Sequence, residues 1–355
     1  MSSVVSVRKV KPDEAEMRLD RWFKLHFPDL AFGHLQKLLR TGQVRIEGKR
    51  AKSDARLEPG QIIRIPPLDK ASPREADGTR KALTPQQVAA GEGGRLPSSG
   101  GEKRTEDTRG FLRSITLYED AEMMVLNKPA GLAVQGGSGT VRHLDGMLDV
   151  LKDRDGQRPR LVHRLDKDTA GCIIIAKTRL AAATLAKTFR TRSARKTYWA
   201  LVAGVPRVKQ GRISTYLAKG EDEHGDAKMM VAKHGDEGAD HAVTYYAVVD
   251  TSAQKLAWLS LKPVTGRTHQ LRAHTAHMRH PIVGDPKYFD IQNWELPGGM
   301  QNKLHLLARR IAIPHPKTGK IVDITAPLPP HMLQSWNLLG LDAKRYDPIE
   351  DAPEE

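Results

Sequence analysis

Hydrophobic residues in the first part of the chain fall at two spacings, and the earlier one is helical. Leu19, Trp22, Phe23 and Phe27 recur every three or four residues, which puts them on one face of a helix that Pro28 ends. A second helix is predicted from about Phe32 to Arg40, with Leu35, Leu38 and Leu39 on one side, Lys37 and Arg40 on the other, and Gly42 as the stop. Strand spacing follows in Val44-Arg45-Ile46 and Ile62-Ile63-Arg64-Ile65, with a turn at Glu47-Gly48-Lys49. Residues 15–66 thus read as a small α+β module. Between 67 and 110 Pro, Gly, Ser and charged residues break every periodicity, which predicts a flexible polar linker with room for one short helix around Pro85 to Ala90.

Apolar β-rich spacing returns at Phe111. Strands are predicted at Val125-Leu126, Cys172 to Ala176, Tyr198 to Val202, His241 to Val249, Ala257 to Leu261, Ile311 to Ile313 and Ile321 to Ile324. Helices are predicted at Arg179 to Arg190, Thr268 to Met278 and Pro330 to Leu339. Regular βαβ alternation is missing, so residues 111–341 read as an α+β domain built on a largely antiparallel, mixed β-sheet. Residues 342–355 are acidic and proline-containing and are expected to form a frayed tail.

Charge narrows the class of partner. The 355 residues hold 57 Lys and Arg against 42 Asp and Glu, a formal charge of +15, which points to a polyanion whose counterions are released on binding. An anionic membrane would need an amphipathic anchor or a long apolar run as well, and the apolar stretches here are only strand-sized. The single cysteine, Cys172, excludes an internal disulfide framework and a cysteine-rich zinc site. Residues 1–20 lack the apolar core of a secretory signal, so a reducing cytoplasm is the expected location.

The densest candidate chemistry lies at 161–178, where His163, Arg164, Asp166, Lys167, Asp168 and Thr169 crowd the entry to an apolar strand. A loop on a rigid sheet edge suits catalysis, because the sheet holds its side chains steady. On residue types alone, a polar turn in which Asp166 or Asp168 bonds nearby N–H groups is the more economical reading.

A resemblance changes that balance. His163-Arg164-Leu165-Asp166-Lys167-Asp168-Thr169-Ala170-Gly171 resembles the H-R-L-D-x-x-T-[SA]-G signature of the RluA-type pseudouridine synthases, with Ala170 at the small-residue position. Asn127-Lys128-Pro129-Ala130-Gly131 is similar to the first motif of that family and Lys196-Thr197-Tyr198 to its tyrosine segment. The stretch from Lys262 through Thr265-Gly266-Arg267-Thr268-His269-Gln270-Leu271-Arg272 to His274 is similar to its third motif. The likeness spans about 111–339 in the family's order.

The resemblance implies that Asp166 is the essential carboxylate, either attacking ribose C1′ or removing a ribose proton as the uracil leaves. It implies that Tyr198 packs near the uracil and helps remove the C5 proton, and that Arg267 pairs with Asp166. A guanidinium there would keep a desolvated carboxylate charged and aimed. No cofactor, metal or nucleotide is expected. Read without the family, Tyr198 is equally a core or interface tyrosine, and Arg267 a solvent-facing arginine at a helix start.

Four histidines, His269, His274, His277 and His280, fall within twelve residues and raise a zinc site as a rival. Their spacing, with no Cys or Glu nearby, argues against it. The N-terminal module also carries a likeness. Arg18-Leu19-Asp20, Leu35 to Arg40, Gly42-x-Val44 and Gly48-Lys49 resemble an S4-like RNA-binding module found in ribosomal and RNA-modifying proteins. By that likeness Arg18, Arg21, Lys37, Arg40, Arg45 and Lys49 would bond phosphates. Arg164, Lys167 and Arg192 would hold RNA beside the active site.

The expected protein is a monomeric enzyme that makes pseudouridine in RNA. Large-subunit (23S) ribosomal RNA is the favoured substrate and tRNA the alternative. A catalytically idle assembly factor and a metal-dependent RNA hydrolase are the readings from other classes.

Overall fold

The protein is described from a computed structural model at residues 5–27, 30–68, 99–136, 142–153, 156–221, 227–289 and 297–353. Two compact units divide it, Met1–Thr105 and Glu106–Glu355. Among the described residues no helix is long and apolar enough to cross a membrane.

In the first unit, strands β1 (Ser6–Lys9), β2 (Arg45–Ile46), β3 (Lys49–Arg50) and β4 (Ile62–Ile65) form a sheet in the order β1-β4-β2-β3. Helices α1 (Leu19–His26) and α2 (Phe32–Arg40) follow the apolar spacing closely, since Leu19, Trp22, Phe23, Leu35 and Leu38 are all buried. Strand β1 is an addition to the expected elements, because its four residues are all exposed and carry no alternating pattern. Buried Glu14 ties the unit together. It accepts from the Trp22 indole at 3.0 Å and the Lys11 N–H at 2.9 Å, and lies 2.6 Å from His26 Nε2. Burial alone would raise its pKa, but these bonds outweigh that and bring it below the usual carboxylate value.

Most of the expected linker, including the short helix near 85–90, lies outside the described residues. Its last part is not loose chain, because helix α3 (Ser99–Ser114) runs through it. Glu106 pairs with Arg109 and Arg113 along that helix, Arg109 Nε donates to the Val150 carbonyl, and Leu112 is buried. Helix-period charge pairing and one anchored turn thus override the loose composition.

The second unit is α+β, as expected, around one large mixed sheet. Its strands are β5 (Thr116–Glu119), β6 (Met123–Lys128), β7 (Arg160–Leu161), β8 (Ala170–Ala176), β9 (Arg195–Ala203) and β10 (Gln210–Glu221). They continue with β11 (Ala227–Ala232), β12 (Asp240–Ser252), β13 (Leu256–Pro263), β14 (Leu306–Pro314) and β15 (Ile321–Thr325). The main path runs β11-β10-β12-β13-β9-β14-β8-β6-β5, with β15 on β14 and β7 on β8. Among these strands every pairing is antiparallel except β14 with β8. Helices α4 (Leu144–Met147), α5 (Arg179–Arg190), α6 (Gln270–His277) and α7 (Pro330–Leu339) complete the unit, and the core includes Trp258, Trp336, Ile174 and Leu201.

The tail after 342 is fastened rather than frayed. Asp347 accepts from the Trp199 indole at 2.9 Å and the Ser260 hydroxyl at 2.7 Å. Ile349 is buried, Arg345 pairs with Asp250, and Lys262 Nζ donates to the Ala352 carbonyl. The acidic composition that suggested solvation instead supplies, through Asp347, an acceptor for donors on β9 and β13.

Candidate active site

The segment with the dense charges becomes a loop between β7 and β8. All seven residues of β8 are buried, so the loop leaves a fixed strand. Gly171 closes the loop at φ +107°, and a Cβ there would come within 2.3 Å of the Ala308 carbonyl oxygen on β14. Only glycine allows this approach, so the last residue of the signature is a packing requirement. Lys128, at the end of β6, is fully buried. Its ammonium donates to the carbonyls of Pro129 (3.0 Å), Leu132 (2.9 Å) and Lys167 (2.8 Å). Burial lowers its pKa to about 8 against the opposing pull of Asp168 and Asp166. Gly131 N–H also donates to the Lys167 carbonyl at 3.0 Å. The Asn127–Gly131 motif therefore braces the loop that presents Asp166, whose side chain is 29% exposed.

The third motif is fastened to β12. Buried Gln270 donates to the Val243 carbonyl and lies 2.9 Å from the Thr244 hydroxyl, while its own carbonyl accepts from the Thr265 hydroxyl at 2.6 Å and the Arg267 N–H at 3.1 Å. Thr265 in turn accepts from Val243 N–H at 2.9 Å. Helix α6 starts from this knot, with His269 at its N-cap in the left-handed region, φ +49°.

Arg267 does not pair with Asp166. Its guanidinium bonds Asp240 at 3.1 Å and the His241 carbonyl at 3.2 Å. The guanidinium beside Asp166 belongs to Arg272, with Nη1 3.5 Å from Oδ2. Arg267 precedes the helix and leans toward β12, whereas Arg272 lies in its first turn and points inward. Asp285, whose side chain is fully buried, grips Arg272 with two 2.7 Å bonds from Nε and Nη2, leaving Nη1 for Asp166. Burial opposes the Arg272 charge, but the Asp285 bonds and the Asp166 field raise its pKa above the ordinary value. Such a forked pair fixes direction as well as charge.

A cleft of about 1010 Å³ opens over these groups, lined by residues 161–167 and 263–272 and by Tyr198. Burial first, then the Asp166 charge, pushes the Tyr198 phenol well above its usual pKa, so it keeps its proton. His163 stacks on Phe189 at 4.4 Å and accepts the Ile174 N–H at 2.8 Å. Burial lowers its pKa to about 3, which makes it a neutral wall of the cleft. Arg164, Lys167 and Arg192 all line the cleft and are exposed. Two further cations to which the sequence assigned no role, Arg190 and Lys196, join them, and burial followed by the nearby Arg192 charge lowers the Lys196 pKa to about 8.

In the first unit Arg21, Lys37, Arg40 and Lys49 are exposed. Arg18 is held by Asp20 at 2.7 Å, and Arg45 bonds the carbonyls of Gly42 and Gly48 across its turn. The histidine run does not gather. His274 is buried with its ring nitrogens on the Thr215 and Thr244 hydroxyls, and His280 bonds the Ala203 carbonyl. Among the described residues no group of three His, Cys, Asp or Glu is placed to hold a metal ion.

Known proteins place this site in context. A model of the family described as RNA pseudouridylate synthase matches residues 122–277. Ribosomal large subunit pseudouridine synthase C of Escherichia coli K12 is 33% identical over 333 residues, covering 91% of this chain and 93% of its own. The mitochondrial RNA pseudouridine synthase 4 of Arabidopsis thaliana is 32% identical, covering 93% of this chain and 81% of its own. Among solved structures, human RNA pseudouridylate synthase domain containing 4 superposes with a TM-score of 0.57 at 27% identity, over 68% of this chain and 98% of its own. The signature around Asp166 and these relatives agree, and the chain belongs to the RluA-type family of RNA pseudouridine synthases.

Proposed function

We propose that this enzyme converts uridine to pseudouridine in large-subunit ribosomal RNA with Asp166 as its reacting carboxylate. The observation that carries the assignment is Asp166 in the cleft, 3.5 Å from an arginine that is itself locked by a buried aspartate. The fixed guanidinium gives the carboxylate a countercharge and a direction, which both attack on C1′ and removal of a ribose proton can use. After the glycosidic bond breaks, the freed uracil turns within the cleft and C5 bonds to C1′. The C5–H proton then leaves, and N1 gains one, so mass is unchanged. Tyr198, neutral and set in the cleft wall, supports the ring, and its phenol can take up the C5 proton only as it gives its own to N1, which leaves the tyrosine and the mass unchanged. Arg272 takes the place beside Asp166 that the motif resemblance assigns to Arg267.

The target base must leave its stack to enter, at a cost of a few kcal/mol that is least in loops. Arg164, Lys167 and Arg192 on the cleft rim suit the phosphates of the displaced strand. Residues 15–66 supply a separate basic surface, with Arg21, Lys37, Arg40 and Lys49 open to solvent. The substrate class rests on the E. coli relative, whose name specifies the ribosomal large subunit and whose match covers 91% of this chain. We read the protein as a monomer of the cytoplasm, with its one thiol buried.

The test is to map pseudouridines by carbodiimide-stop sequencing in cells carrying the wild type or Asp166→Asn. Loss of one or more large-subunit sites in the variant, with RNA binding kept, is the expected result. Loss confined to tRNA sites would move the substrate assignment, and unchanged modification would remove Asp166 from the chemistry.

A further inference from the structure

Behind Arg272 lies a tyrosine that the reaction does not obviously need. Tyr288 OH donates to the Met229 carbonyl at 2.9 Å and accepts the Met229 N–H at 2.9 Å. Met229 lies on β11, the outermost strand at its end of the sheet path. The Tyr288 ring lies 5.3 Å from the Arg272 guanidinium carbon and 5.8 Å from Lys228 Nζ, so two cations share one aromatic ring. Its backbone N–H bonds Asp285 Oδ1 at 3.2 Å, the oxygen that also holds Arg272. The phenol therefore joins an edge strand to the arginine beside Asp166.

The supply of protons at that hydroxyl decides the state of a neighbour. A tyrosine hydroxyl has one proton, and here it goes to the Met229 carbonyl. His269 Nδ1, 3.4 Å from the same oxygen, can then interact favourably only as an N–H donor. That tautomer leaves Nε2 unprotonated, facing Asp166 Oδ2 at 4.0 Å. A bare nitrogen cannot form an ion pair with the carboxylate, so Arg272 remains its cationic neighbour. Burial, opposed by Asp166 and aided by Arg272, lowers the His269 pKa and favours the same neutral ring.

We propose that Tyr288 is a positioning residue that couples strand β11 to the active site, holding Arg272 over its ring and fixing His269 in the Nδ1–H tautomer so that Asp166 pairs with Arg272 and not with His269. The inference rests on Asp166 being the reacting carboxylate.

Three variants test it in the full-length protein. Tyr288→Phe keeps the ring beneath Arg272 and removes the hydroxyl, whereas Tyr288→Leu removes both. The expected kcat losses are about tenfold and about a hundredfold, the scale of small misplacements of reacting groups, with KM for RNA within about twofold. Nitrogen-15 NMR of labelled histidine should show His269 as Nδ1–H in the wild type and shifted toward the other tautomer in Tyr288→Phe. Asp166→Asn, run alongside, must be inactive. If it turns over, the Asp166 reading fails rather than this one. With Asp166→Asn inactive, a Tyr288→Phe variant of wild-type kcat and unchanged histidine signals overturns the proposal. So does a loss explained wholly by a smaller folded fraction in thermal melts. Should Tyr288→Leu not fold, the Phe variant and the tautomer still decide.

Discussion

The cleft of the second unit and the helical surface of the first both concentrate positive charge, yet they use it in opposite ways. Lys128 and Arg272 are buried, and their donors are already committed to carbonyls or carboxylates. Arg21, Lys37 and Arg40 are exposed. A buried cation with fixed partners sets geometry and is costly to remove, because its carbonyl or carboxylate partners are left unsatisfied in a poor solvent. An exposed cation contributes attraction that salt screens. The two regions should therefore fail differently, in turnover and stability for the cleft and in affinity for the module.

The sharpest way to break that contrast is Asp285→Ala, which strands Arg272. It should destabilise the second unit by about 3–5 kcal/mol and lower kcat at least about a hundredfold, read by denaturant unfolding and single-turnover kinetics. A next, smaller effect is acid sensitivity of the second unit. Burial lowers the pKa of His274 and of His305 to about 4. The unfolded chain protonates these rings near pH 6.5 and the folded one does not, so stability should fall as pH drops from about 6.5 toward 4, by on the order of 3 kcal/mol per ring. Calorimetry across that range checks it, and His305→Gln should flatten the slope. The first unit differs, since Glu14 has a depressed pKa and its contribution is lost only as pH falls below the ordinary value of 4.5.

For the exposed set, the triple variant Arg21→Ala, Lys37→Ala, Arg40→Ala should raise KM with kcat intact. It should also reduce the log–log salt slope of RNA binding by about 2 to 3, because each phosphate left without its cation removes about 0.7–0.9 from that slope. The smallest effect belongs to Arg267→Ala, whose partner Asp240 is exposed. We expect a kcat change below about threefold, since such surface pairs are worth about 0–1 kcal/mol. A large kcat loss there with Arg272→Ala nearly silent would reverse the assignment of the two arginines.

How much of the molecule is legible in its sequence follows from range. Helices α1, α2, α5 and α7 are readable because each shows one apolar face within its own residues. Strands β10 and β11 are not, since β10 has only two buried positions in twelve and reads as polar sequence. The signature loop is visible as a charge cluster before a buried strand. Which arginine meets Asp166 is not, because the answer depends on Asp285, thirteen residues past Arg272, and on Asp240 from a neighbouring strand. A faint signal exists in an arginine flanked by Leu271 and Ala273 early in a helix, which suggests an inward charge needing a partner. The tail misleads because acidic composition describes solubility and says nothing about which donors wait on β9 and β13.

The hold of Asp347 on β9 makes the end of the chain a practical concern. Asp347 accepts the indole proton of Trp199, the residue next to Tyr198, and the Arg309 guanidinium lies 4.1 Å from the same ring. Indole emission depends on such neighbours, so the part of the five-tryptophan emission that Trp199→Phe removes offers an optical gauge of whether the strap is latched. A purification tag fused after Glu355 lies close in sequence to that strap, so an assay built on such a fusion should first be compared with the untagged enzyme.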